Sequence, residues 1–428
     1  MATLSVNPSG VLSTNNIFDE TQTLTYNGLP VADRLTSTTY QISGILDETK
    51  TLTYNGLSVA RRIDKSGNLY VAGYLDETIP AVTSGGGGGG GTYATGGTVV
   101  DITGYKVHIF NSSGTFATTS SWPSGRTIEY VVVAGGGGGG SGEAGGGAGG
   151  YLTASGVTAA VSTNYAVTVG GGGTTGTNGA NTSIIGGAIS VTSIGGGGGG
   201  AIASNGQNGG SGGGGGTDQT GGNGTGGKGV YPGSTYLSQA RQGYDGADAA
   251  GKTSSYSAGP GGGAGGVGGV QFVGQGGGSG VTTAILSTTS SSSVSTNGPI
   301  FETLNFTISS GLWFQTEQAI YIYRTSDPTK YMWGVITSYS GTTLTCLVYT
   351  TFTGTFSDWT VQYAMAGGGG GNSNATGAIT SLGGGGGNYT TYVTDASRDA
   401  LPNSGGGGGV YKTQLGGSGV VMIKYAYP

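Results

Sequence analysis

The sequence has little charge and almost no residues suited to metal, redox or nucleophilic chemistry. Its 428 residues include 15 Lys or Arg and 20 Asp or Glu, for a formal net charge of −5. With so few cations the chain cannot neutralise a run of phosphates, which excludes nucleic acid as a partner. A single cysteine, Cys346, excludes a disulfide framework within the chain. One histidine, His108, beside that one cysteine leaves no His/Cys cluster for zinc or haem. No catalytic, cofactor-binding or metal-ligating set is expected, and no cofactor. Ten prolines, with glycine in blocks instead of at every third position, exclude collagen. The opening MATLSVNPSG has neither the basic nor the apolar region of an export signal. No apolar run approaches the ~18 residues of a membrane span, so neither a signal peptide nor membrane insertion is expected.

What the chain does have is glycine, 100 residues of it, against about 7% in an average protein. The longest blocks are Gly85 to Gly91, Gly135 to Gly140, Gly195 to Gly200, Gly212 to Gly216, Gly367 to Gly371, Gly383 to Gly387 and Gly405 to Gly409. Ordering a residue costs about 1–2 kcal/mol of conformational entropy, and glycine loses more than any other while burying little apolar area. One structure can offset that cost. Glycine runs can take the threefold extended helix, which has no internal hydrogen bonds. Packed side by side, such segments can pair every N–H and C=O laterally, with Cα–H···O contacts adding a smaller term. The competing readings are loops decorating a β scaffold and a disordered spacer.

The remaining sequence reads as all-β with polyglycine-II-like or irregular glycine-rich segments and little or no helix. Five regions are expected. Residues 1–84 are a β repeat region: Phe18 to Leu29 recurs as Leu46 to Leu57, an offset of 28 residues from Asp19 to Asp47. Each copy holds Thr-Leu-Thr-Tyr and then Asn-Gly, a strand and a tight hairpin turn. Residues 85–97 are a glycine linker, and 98–280 the first part of a glycine-rich domain. Within it Thr98 to Ile102, Tyr105 to Phe110, Thr115 to Thr118, Thr127 to Val133, Tyr165 to Val169 and Ile189 to Ile194 read as strands. Leu237 to Ala250 is the one stretch where a helical turn is allowed. Residues 281–365 form an inserted all-β module whose core is expected to hold Trp313, Trp333 and Trp359. Residues 366–428 close the glycine-rich domain with the strand Gly419 to Tyr425.

Few side chains carry functional promise. His108 lies in an expected strand and Cys346 reads as a buried small hydrophobe. Asp245 with Asp248, and Asp358 with Glu317, are formally candidate carboxylate pairs for glycoside hydrolysis, but most acids fall in turns. The many tyrosines carry more weight, because flat rings beside short polar residues suit sugar binding as well as packing. Tyr231, Tyr236, Tyr244 and Tyr256, with Arg241 among them, sit in the longest non-glycine excursion of the glycine region. They are the candidate receptor-contact residues; packing against the glycine scaffold is the alternative.

Phe110-Asn111-Ser112-Ser113-Gly114-Thr115-Phe116, Glu129-Tyr130-Val131-Val132-Val133-Ala134-Gly135, Tyr165 to Gly170 and Gly419 to Tyr425 together resemble the glycine-rich domain of bacteriophage tail-fibre and other virion proteins, cyanophages especially. Ser338 to Thr345 and Ser357 to Trp359 are similar to small β modules of the same proteins. The resemblance implies a non-enzymatic virion component made in the host cytoplasm, most simply a tail fibre or fibre-tip adhesin that binds a host surface glycan. The implied partners are two further copies of itself in a homotrimer, other virion proteins through residues 1–84, and that glycan. A capsid-decorating or head-fibre protein without a receptor role, and a glycan-degrading tail spike, remain as alternatives.

Overall fold

The computed structural model describes residues 92–102, 104–218, 222–249, 258–269, 277–298, 300–316, 318–350, 352–369, 399–410 and 414–427, with the backbones of ten short strands before residue 71. The chain divides into two units, Met1–Gly89 and Gly90–Pro428. Gly85 to Gly91, Gly383 to Gly387, Lys252, Tyr256 and Glu317 lie outside the described residues.

In the first unit the repeats pair with themselves and with each other. Leu24–Tyr26 runs antiparallel to Leu29–Pro30 with Tyr26 opposite Leu29. Leu52–Tyr54 pairs with Leu57–Ala60 with Tyr54 opposite Leu57. Thr25 then stands opposite Thr53, so two copies make one four-stranded sheet.

The second unit is built on two antiparallel five-stranded sheets. The first has the spatial order Thr98–Ile102, Tyr105–Phe110, Val420–Ala426, Thr127–Val133, Tyr151–Thr158. The closing strand is therefore central, with Ile423 opposite both His108 and Tyr130. The second sheet runs Ala94–Thr95, Gly114–Thr118, Asn164–Thr168, Thr182–Gly186, Ile189–Ser193. Alternation along these strands sends Phe116, Tyr165, Ile184, Val132, Ile423 and Tyr425 into one core between the sheets. Trp122 closes it, its indole N–H donating to the Ala159 carbonyl at 3.0 Å. His108 is fully buried here. Its Nδ1 donates to the Gly96 carbonyl at 2.6 Å, which leaves Nε2 to accept from the Tyr425 hydroxyl at 3.2 Å. Burial outweighs that carbonyl contact and lowers its pKa to about 4, so the ring is neutral.

The other face of the first sheet carries Val107, Ile109, Val131, Val133 and Met422 into a second core with Ile285, Leu286, Trp313, Tyr363 and Met365. These come from the inserted module, whose six-stranded sheet has the order Val281–Ser290, Trp359–Met365, Ala319–Arg324, Asp327–Ser340, Thr343–Thr350, Phe301–Thr307. A third core inside the module holds Phe306, Ile320, Ile322, Leu344, Cys346, Val348 and Trp359. No helix forms over Leu237 to Ala249. The glycines at 243 and 246 lie in a laterally bonded stretch, where Tyr244 and Gly246 donate to Gly263 and Gly227 on other segments.

Candidate functional site

The described glycine blocks form the frame on which surface side chains are displayed. Along Gly135 to Gly140 the backbone amides point outward in a strict three-residue cycle. Gly135 and Gly138 donate to Ala180 and Thr177, Gly136 and Gly139 to Gly417 and Gln414, and Gly137 and Gly140 to Gly147 and Ala144. The carbonyls of the same segment accept from Gly196 and Gly199, from Gly173 and Gly176, and from Gly408. One extended segment thus has six neighbours. Gly145 to Gly150 repeats the pattern, donating to 259 and 262, to 408 and 405, and to 197 and 194. All twelve amides of these two segments thus find a carbonyl to the side.

Glycine is needed here for closeness. A Cβ added at any position from Gly135 to Gly140 would stand 1.9–2.1 Å from a carbonyl oxygen of a neighbouring segment. At the rim, side chains complete the pattern. Asn178 and Asn181 offer Oδ1 to the amides of Gly198 and Gly195. Asn205 and Asn208 do the same for Thr225 and Lys228. Asp248 and Asp245 do it for Gly226 and Gly229. Each pair is spaced by three residues, the period of the segment it caps.

Three of the five candidate contact residues come together on this rim. The exposed Arg241 guanidinium lies 4.2 Å from the ring centroid of Tyr244 and 4.9 Å from that of Tyr231. The Tyr231 hydroxyl donates to Asp245 Oδ2 at 3.1 Å, and Lys228 Nζ donates to the same oxygen at 3.0 Å. The Asp245 carboxylate raises the Lys228 pKa by this hydrogen bond and by its charge. Gln242 ties the cluster to the sandwich: buried, it accepts the Ile194 amide on Oε1 at 2.8 Å, and its carbonyl accepts from Tyr151. Tyr236 is half-buried on the adjoining turn, its amide donating to the Ser234 hydroxyl at 3.2 Å.

Three of the four candidate carboxylates are described, and each holds neighbouring groups. Asp245 and Asp248 each hold a neighbouring backbone amide, as above. Asp358 receives Arg324 Nε at 2.9 Å and the Ser326 amide at 3.0 Å. Hydrogen bonds from Arg324 and Ser326 lower its pKa to about 2.

The tryptophans of the module divide. Trp313 and Trp359 are buried in cores, but Trp333 is half-buried on the outer face of the six-stranded sheet. It stands opposite Tyr321 on one side and Tyr349 on the other. Core packing was expected for all three; the pleat turns position 333 outward because 332, 334 and 336 point in.

A family model described as a glycine-rich domain matches residues 111–299. No curated protein and no solved structure matches the chain. The match begins at the turn after Tyr105–Phe110 and stops inside the inserted module, so the central strand Val420–Ala426 lies beyond it. The chain is glycine-rich and essentially all-β.

Proposed function

We propose that this chain is a non-enzymatic structural protein of a bacteriophage virion, a tail fibre or fibre-tip adhesin. Residues 1–84 dock it to the particle, and its displayed side chains meet a host surface glycan. The observation that supports this reading is the glycine bundle. A body in which each segment is bonded sideways to as many as six others is stiff, and it presents almost no reactive side chains. Function is then left to what stands on the rim and on the module. A homotrimer sharing one axis would bury further backbone surface, and sedimentation of the full chain as a monomer counts against it.

The test is immunogold labelling of intact phage particles with antibody raised against residues 281–365. Gold at the distal end of the tail fibres is expected. Gold over the head overturns the adhesin reading in favour of a capsid-decorating protein, and unlabelled particles overturn the virion role.

A further inference from the structure

We propose that the outer face of the inserted module, not the Tyr231–Arg241–Tyr244 rim, is the glycan-binding surface, and that its ligand is an uncharged polysaccharide. This deepens the adhesin reading and rests on it only for the source of the glycan.

Six aromatic side chains lie together on this face. Phe301, Tyr349, Trp333 and Tyr321 come from four successive strands and stand opposite one another across the sheet. Tyr331 and Tyr323 form the adjoining pair. Ring centroids are 5.1 Å apart for Phe301–Tyr349, 5.6 Å for Tyr349–Trp333 and 5.4 Å for Tyr321–Tyr331. All six are half-buried. Neighbouring rings support one another from the side, so the platform is held in place before any ligand arrives. Four strands at about 4.8 Å spacing give a row roughly 15 Å long, suited to an oligosaccharide more than to one sugar.

The chemistry of the face selects the occupant. A pyranose ring presents a flat C–H surface that packs on an aromatic face, and its hydroxyls bond to short polar groups at the border. Thr303 and Asn305 supply such groups, both exposed on the strand that carries Phe301. None of the six carries a charge. The two cations at the hairpin end are already held, Arg324 by Asp358 at 2.9 Å and Lys330 by Asp327 at 2.8 Å. A nucleic acid could stack its bases on these rings but would find no free cation beside them for its phosphates. An acidic glycan meets the same lack.

The rim cluster is a poorer candidate. Asp245 there accepts from Gly229, Lys228 and Tyr231, and Arg241 stacks on both tyrosines. Asp245 is committed to the bundle edge, and the Tyr231 and Tyr244 rings are taken up by Arg241.

The experiment is affinity electrophoresis of the full chain through native gels containing hydroxyethyl cellulose, dextran or galactomannan, with heparin and poly(dT) gels alongside. Retardation in at least one neutral gel is expected, weakened about tenfold or more by Trp333→Ala and by Tyr349→Ala and unchanged by Arg241→Ala. Trp333→Phe keeps a stacking ring and keeps the retardation, which separates loss of the platform from loss of the fold. Fluorescence gives a second readout, because the other tryptophans, Trp122, Trp313 and Trp359, are buried. The retarding polysaccharide should shield emission from acrylamide in the native chain and lose that effect in Trp333→Phe. No retardation in any neutral gel overturns the proposal. So does retardation that follows Arg241 instead of Trp333, or preferential retardation by heparin or poly(dT). Trp333→Ala dissociating an oligomer without any glycan binding would instead make this face an interface between copies, and also overturns it. Gold on the head with Trp333-dependent retardation defeats the adhesin reading alone; gold on the fibres with Arg241-dependent retardation defeats this inference alone.

Discussion

The side-chain carbonyl of Asn181 accepts the amide of Gly195 at 2.8 Å, where the interior of the bundle would use a neighbour's backbone carbonyl. The substitute works because Asn178, three residues earlier, meets Gly198, three residues later. Gly195 is buried and Asn181 is exposed. Asn181→Ala is expected to leave a buried amide without that acceptor and to cost about 1–3 kcal/mol. Asn181→Asp, which keeps the acceptor, should stay close to the native stability at neutral pH. Denaturant unfolding of both variants checks this.

Adjacent glycines in one segment should respond in opposite ways to the same methyl group. A Cβ at Gly172 would lie 1.8 Å from the Gly416 carbonyl oxygen, whereas one at Gly171 meets nothing within 4 Å. Gly172→Ala therefore forces two backbones apart and should destabilise by about 3 kcal/mol or more. Gly171→Ala should be neutral, or stabilising by about 0.4–1 kcal/mol through the unfolded chain. Equal losses in both, measured by melting temperature, would refute the close-packing account.

His108 predicts a pH dependence of stability. Its folded pKa of about 4 lies below the ordinary 6.5 because burial disfavours the charged ring. Between those values the unfolded chain binds the extra proton. Stability is complete above pH 6.5 and falls as the pH drops toward 4, by about 3 kcal/mol in all. His108→Gln should flatten that window while leaving a second loss at lower pH. There Asp327 and Asp358, each lowered from 3.8 to about 2 mainly by hydrogen bonds from Lys330 and Arg324 respectively, become protonated. Equilibrium unfolding from pH 7 to pH 2 separates the two.

Cys346 reports on the module. It is fully buried, and burial pushes its thiol pKa up to about 12, so thiolate is scarce at neutral pH. The native chain should resist Ellman's reagent, and labelling should begin only when the module core opens. Labelling that tracks loss of the module's near-ultraviolet signal supports this; immediate labelling refutes it.

Much of the fold is legible from residue patterns. Val-rich runs mark Thr127–Val133 and Val420–Ala426, since burial on both faces leaves a near-continuous apolar run, and β-branched and aromatic residues between polar turns mark Tyr105–Phe110. Tyr151–Thr158 is harder to see, because a glycine and small polar residues interrupt it and it owes its place to its partner strand, and Thr182–Gly186 is only five residues long with glycine at its end. Along Asn178/Asn181, Asn205/Asn208 and Asp245/Asp248 the three-residue spacing is present in the sequence. It acquires meaning only once the threefold cycle of the glycine amides is known. Tyr321/Tyr323 and Tyr331/Trp333 show a period of two, which puts each pair on one face. Because Ile320, Ile322 and Met332 are apolar too, the pattern does not say which face is inside. The Tyr231–Arg241–Tyr244 cluster was visible as composition, but its closure on Asp245 depends on the path of the glycine segments.

The position of Val420–Ala426 between Tyr105–Phe110 and Thr127–Val133 governs how this molecule comes into being. During synthesis the two early strands wait on the ribosome with a gap between them, one strand wide, for some three hundred residues of translation. The inserted module, whose sheet draws only on nearby sequence, can fold in the meantime and shorten the excursion that must be closed. Until the late strand arrives, Gly135 to Gly140 lack the partners at Gln414 and Gly417 that are made with it. Assembly is thus timed by the last element made, and a nascent chain stalled before residue 420 would carry an open, sticky cleft for chaperones to guard.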